Sequence, residues 1–482
     1  MQKSPLVQTL AALNLRERQE LGRWVQSPAF NRRPEVVELF DWLCAQLGSS
    51  EPEPEALSGK HSLRRHLELD EPGLRHTMSY LFRIVKQYLA WREWSADPQA
   101  EGRYLCRALR KKGLSAVFDK EFKTLESVPQ NSPQNAAFYL ERYQIAMEQW
   151  EAQHHKGPME GNQLRASDAA FSNFVAITAL RHGCAALDQP GLIASQEISW
   201  LAETVNAVEA GRFSGVAAVQ VYYHCYQLMR EGAETNFEDL KQLLVRQPAL
   251  LPAQELRDVY LIAINFCIKK LNTGARNFIR EALDLYRAGL ERQVIQDGGI
   301  LSKATYQNIL LLALASEEWD WARNFLENYR NALPSTERHN TYHFNLALYF
   351  FRKKDYASAQ EILRDVDFRD VHHNLDARRM LVRIYFDTGA FNALDALLHS
   401  FRIYLQRHRN IGYHRELNAN FVRMVQRLLK LPPGSDAEAR EALRQQIADE
   451  HYLAEREWLL EQIATARHTS FAQTVNFSPK TK

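Results

Sequence analysis

His343–Val366 reads HFNLALYFFRKKDYASAQEILRDV, and its two halves suit two short helices with a break between them. A small residue, Ala347, lies in the first half. A polar Asp355 stands at the break, followed by the aromatic Tyr356, then by Ala359 and by Leu363 as the next packing position. Two neighbouring stretches align with this one when their aromatics are superposed. Tyr306–Pro334 is anchored on Trp319 and Met380–Leu398 on Phe391, so the anchors are 37 and 35 residues apart. The earlier stretch carries Ala322 and Leu326 and ends on Pro334. The later one carries Gly389 at its turn but Leu394 where the others have alanine. Small residues let two helices approach closely, and the aromatic fills the space toward the next pair. A looser fourth unit, Tyr260–Tyr286 around Gly274, has a longer connection to the next.

This spacing and these residues resemble the tetratricopeptide-repeat family, whose period is about 34 residues. The motif match covers roughly a quarter of the chain; upstream of Tyr260 helical hairpins continue without it. The resemblance implies an array of helical hairpins with a concave groove that takes an extended peptide. Eleven residues before Trp319 and Tyr356 stand Asn308 and Asn345, and setting Gly274 at its turn adds Asn265. In the family this position faces the groove, so the three asparagines resemble a ladder for a peptide backbone. One amide offers both an acceptor and donors to a peptide unit, and asparagine is a poor choice inside a helix. Hydrogen bonding between helices is the other reading. The repeat at Phe391 breaks the ladder with Met380, flanked by Arg379 and Arg383.

Outward from the array the signal stays helical. Leu81, Phe82, Val85, Tyr88, Leu89 and Trp91 recur at three- and four-residue spacing, as do Phe138, Tyr139, Tyr143, Ala146, Met147 and Trp150. Asp97-Pro98, Ser132-Pro133 and Leu251-Pro252 read as helix starts. The chain has only 20 Gly and 17 Pro in 482 residues, too few for a large β-sandwich or barrel. An all-α protein of roughly twenty helices is expected. Loops suggest an N-terminal helical region at 1–156, a helical-repeat array at 162–431, and a C-terminal capping helix and tail at 432–482. The break falls at Lys156–Gly161, with another connector at Gly48–Gly59. The block SPAFNRRPEVVELFDWL, Ser27–Leu43, is distinctive but suggests no chemistry.

Net charge is only +2, so no global field favours nucleic acid or an anionic membrane. Five scattered cysteines, Cys44, Cys106, Cys184, Cys225 and Cys267, read as reduced packing residues. With no signal peptide and no long apolar run, a cytoplasmic protein is expected. Phosphate-binding, dinucleotide, zinc-protease and nucleophile-elbow motifs are all missing, so no enzyme, metal or cofactor is expected. The histidine pairs His339/His343, His154/His155 and His372/His373 lack a third ligand. Glu317-Glu318 and Asp365/Asp367 read as surface charge, and Trp91/Trp94, Trp319/Trp321 and Tyr222/Tyr223/Tyr226 as packing.

Charge does segregate near the C-terminus. From His399 to Lys430 the bases Arg402, Arg407, Arg409, Arg415, Arg423, Arg427 and Lys430 face Glu416 alone, whereas Leu431–Gln462 holds eight acids against three arginines. Either the last helix neutralises the basic hairpin, or Arg378, Arg379, Arg383 and this segment form a basic end to the groove for an acidic tail or a phosphate. The leading functional expectation is a non-enzymatic scaffold that binds an extended segment of another protein. The alternative is an RNA- or nucleotide-responsive helical-repeat protein using the Arg-rich C-terminal hairpins.

Overall fold

A left-handed residue closes each hairpin of the repeat region. In the computed structural model, Gly274, Glu317, Lys354 and Gly389 all have positive φ, at 94°, 59°, 63° and 68°. At each, two amides turn back on the helix just ended. Lys354 N donates to Phe351 O (3.0 Å) and Asp355 N to Phe350 O (2.9 Å). The same pair of bonds recurs at Gly274/Ala275, Glu317/Glu318 and Gly389/Ala390. This satisfies carbonyls a helix end would otherwise leave bare, and it requires the left-handed conformation. The anchors Trp319, Tyr356 and Phe391 open the next helix two residues later.

The structure describes residues 4–48, 63–64, 67–127, 133–153, 162–189, 198–246, 250–364, 371–408, 411–431 and 437–465. Of these, 80% are helical, in 22 α-helices, with no strand. The expected break at 156–161 and the connector around 49–59 lie outside the described residues. Two compact units form, Met1–Tyr223 with Gln247–Leu251, and His224–Arg246 with Pro252–Lys482. Leu250 belongs with the first because its carbonyl accepts the Gln134 amide at 3.1 Å.

The first unit holds α1 (Pro5–Ala12), α2 (Leu15–Gln26), α3 (Pro34–Gly48), α4 (Glu71–Ser95), α5 (Pro98–Lys111), α6 (Ser115–Glu126), α7 (Ala136–Gln153), α8 (Asn162–Asp188) and α9 (Leu201–Glu209). The periodic Leu81–Trp91 stretch lies in α4, which buries Leu81, Ile84, Val85 and Tyr88 against Leu10, Leu21, Val25, Leu39 and Leu43. Asp97 caps α5, accepting the Gln99 and Ala100 amides, as its Asp-Pro start suggests. The Ser132-Pro133 start shifts: Ser132 is outside the described residues, and α7 begins at Ala136 with Asn135 accepting the Phe138 amide. In the Ser27–Pro34 loop, buried Asn31 donates to Val25 O (2.8 Å) and Arg33 O (3.0 Å) and accepts from Arg33 N (2.9 Å). Distinctive as a sequence, that loop is a connection between α2 and α3 held at its centre by Asn31.

The division between units falls within α10 (Ala217–Arg230). The second unit continues with α11 (Glu234–Arg246), α12 (Ala253–Asn272), α13 (Phe278–Glu291), α14 (Lys303–Ala315), α15 (Trp319–Asn328), α16 (Arg338–Arg352), α17 (Tyr356–Arg364), α18 (Val371–Asp387), α19 (Phe391–Arg407), α20 (Tyr413–Leu429), α21 (Ala437–Asp449) and α22 (Arg456–Thr465). Pro252 stands just before α12 rather than inside its first turn. Each hairpin α12/α13, α14/α15, α16/α17 and α18/α19 packs internally, and the first helices also pack in succession, α14 on α16 and α16 on α18. Ala313, Ala322, Ala347 and Ala359 are completely enclosed at these contacts, and Leu394 takes the same enclosed role in α19. The C-terminal segment, read as one capping helix, is two, because the chain turns at Glu450–Glu455 and Arg456 ties the end of α21 through Ala448 O (3.0 Å).

The turns make opposite predictions. A Cβ at Gly389 would meet only the Phe391 ring edge, at 4.0 Å, so Gly389→Ala carries a conformational cost of about 1 kcal/mol and lowers the thermal midpoint. Lys354→Gly, which relieves the same conformation, raises the midpoint or leaves it unchanged.

Candidate functional site

Three successive first helices face one cavity in the second unit. It holds about 150 Å³ and is lined by Gln307 and Leu311 of α14, Phe344, Leu348, Phe351 and Arg352 of α16, and Asp376, Arg379, Met380 and Arg383 of α18, with Glu455 from the turn before α22. The first-helix register decides which side chains arrive. Phe344, Leu348 and Phe351 stand at i, i+4 and i+7, one stripe of a helix.

The two arginines expected at the groove are held from several sides. Arg379 donates to Asn418 Oδ1 (3.0 Å), pairs with Asp376, and lies 3.5 Å from Glu455. Asn418 is itself buried and donates to the His414 carbonyl at 2.7 Å, so its Oδ1 is fixed for the guanidinium. Arg383 donates to Glu455 at 2.8 Å and lies over the rings of Phe351 (4.9 Å) and Trp458 (5.6 Å). Its Nε is buried without a partner. Both guanidiniums are mostly sheltered, at 20% and 26% exposure, where a charge–charge contact is screened less than at the surface. Glu455 adopts φ 54°, a conformation that costs any residue with a Cβ.

The asparagines do not form a ladder in this arrangement. Asn345 is 0% exposed; its Nδ2 donates to Thr341 O at 2.8 Å and its Oδ1 has no partner. An enclosed amide cannot touch a peptide, and the adjacent Phe344 lines the cavity instead. Asn308 is half-buried and hydrogen-bonded to the Tyr286 hydroxyl, while Asn265 is exposed. The C-terminal charges are paired in part. Arg423 pairs with Glu450 (2.5 Å), Arg427 donates to Gln446 (2.5 Å), and Glu455 serves Arg379 and Arg383. Arg402, Arg407 and Arg415 remain exposed, with Arg402 near His399 and Arg415 Nε on Leu405 O. Arg409 lies outside the described residues.

Sequence reasoning missed Asn418 and Glu455, which meet α18 only through the fold. It also missed a second, largely apolar cavity of about 260 Å³ in the first unit, where Phe171, Val175, Thr204 and Phe213 meet the exposed Trp200. Among the described residues no group of three or more His, Cys, Asp or Glu could hold a metal ion. His343 Nδ1 is engaged with the His339 carbonyl at 2.7 Å. Glu318 is bound by Arg280 and Arg287. The pairs His154/His155 and Asp365/Asp367 lie outside the described residues. No helix among the described residues is long and apolar enough to cross a membrane.

No protein-family model matches the chain, and no curated protein or solved structure matches it.

The five cysteines are free thiols, four of them buried. Burial pushes Cys44 up to about 11 and Cys184 and Cys267 up to about 12, so their reactive thiolate is scarce near neutrality. Native protein should therefore react with a disulfide reagent at pH 8 far more slowly than the urea-unfolded chain, in which all five cysteines titrate. Reaction of Cys184 or Cys267 at the unfolded rate would show that these helices open readily.

Proposed function

We propose that this chain is a non-enzymatic interaction scaffold, a tetratricopeptide-like array whose first helices hold an extended acidic segment of another protein in the cytoplasm. The observation that carries this reading is the shared cavity of α14, α16 and α18. Its floor of Phe344, Leu348 and Phe351 is apolar, and Arg352, Arg379 and Arg383 supply cations beside it. An extended chain sends alternate side chains to opposite directions, so acidic residues interleaved with apolar ones match a floor and a charged wall together. Asn308 of α14 and the exposed Asn265 of α12 are further polar side chains on the first helices. Fork-shaped guanidiniums suit carboxylates, and sheltering strengthens each contact.

A second reading rests on the hairpin α19/α20. There Arg402, Arg407 and Arg415 are exposed, and Tyr413, 59% exposed, lies 4.1 Å from the His414 ring. Guanidiniums with an open ring suit a phosphate and a base, which favours RNA or a nucleotide as the alternative ligand.

The two readings separate in one experiment. Capture from a host lysate identifies the partner, and calorimetry at two salt concentrations then compares variants. Charge-assisted contacts are worth about 1.5–3 kcal/mol each, so Arg379→Ala/Arg383→Ala should weaken an acidic peptide by roughly tenfold or more with helicity kept. Arg407→Ala/Arg415→Ala should leave that peptide unaffected. If instead only the second pair matters and affinity falls steeply with salt, the nucleic-acid reading replaces the first.

A further inference from the structure

The peptide site already contains a carboxylate of the chain's own. Glu455 reaches it from 72 residues beyond Arg383 and is shared between Arg379 Nε (3.5 Å) and Arg383 (2.8 Å) on the cavity wall. Resting on the proposed function, we infer that Glu455 is an internal competitor: its carboxylate occupies the position where a partner's carboxylate docks, and binding proceeds by exchange of one for the other.

Each arginine has contacts besides Glu455. Arg379 keeps Asp376 and the buried Asn418, and Arg383 keeps the faces of Phe351 and Trp458. With Glu455 withdrawn, the two guanidiniums remain aimed at the cavity as a preformed anion site, and Arg352 stands exposed on its rim. Three cations then face Asp376 alone, an imbalance that a ligand carboxylate restores. Glu455 also stands in a left-handed conformation that glycine or asparagine adopts more easily. The glutamate contributes a charge directed at the site, paired with both arginines. The exchange needs no helix to leave. Leu453, Ala454, Trp458 and Leu459 are buried in the C-terminal core and keep α22 in place. Glu455 itself is 26% exposed, so its side chain has a route to solvent.

A site nine-tenths occupied by its own carboxylate binds a competitor tenfold more weakly than an empty one. The test uses a fluorescein-labelled peptide of alternating leucine and glutamate, with a leucine–glutamine peptide as control. Fluorescence anisotropy compares the full chain with Glu455→Asn and Glu455→Gly, both suited to the left-handed backbone. Both variants should bind the acidic probe about tenfold more tightly than the unmodified chain. Adding Arg383→Ala should abolish the gain, and the control peptide should show none. Equal binding of the acidic probe to all three proteins overturns the competition while leaving the acidic groove standing. No binding even to the variants overturns both. Loss of helicity in both variants would identify Glu455 as a structural strut and would also overturn the inference.

Discussion

The repeat region depends on the residue that ends each first helix. Without a left-handed residue at 274, 317, 354 and 389 the chain could not reverse in so few residues, and at the last three the aromatic two positions later could not open the second helix against the first. Once that reversal is set, the enclosed alanines allow close approach, and the first helices stack on one another. The cavity follows from the stacking, because a helix stripe is continuous only if its neighbour repeats the same register.

Much of this is legible before folding. Periods of three and four locate helices such as α4 and α7, and the aromatic spacing finds the hairpins because an anchor and a turn are local events. The inward-facing residues are less legible, since moving one position along a helix turns the side chain by about 100°. Counting from the anchor reached Asn345, which is enclosed; the adjacent Phe344 looks in sequence like any core aromatic. Arg379 and Arg383 were visible because they flank Met380, where the asparagine spacing breaks. Glu455 was not, because only the three-dimensional path of α20–α22 brings it to α18. Local chemistry is written in adjacent residues, whereas a site assembled from distant ones needs the packing to be known.

Charge follows the same division. A count along the chain finds a basic segment followed by an acidic one, and the structure uses them pair by pair. Arg423 and Glu450 meet, while Glu455 pairs with two arginines of α18. Opposite charge in neighbouring segments therefore says that they attract, but geometry chooses the partner.

The Ser27–Pro34 loop has a consequence of its own. Asn31 donates twice and accepts once, with all three partners on the backbone. Aspartate could accept but not donate, leucine could do neither, and glutamine would carry the amide one methylene too far. The loop thus admits a single side chain at its centre for reasons of valence and length, while Arg32 beside it is exposed and Phe30, also exposed, stacks on Trp24 at 3.9 Å. Proteins built on this connection would share one letter at 31, keep a ring at 30 where they keep Trp24, and differ freely at 32.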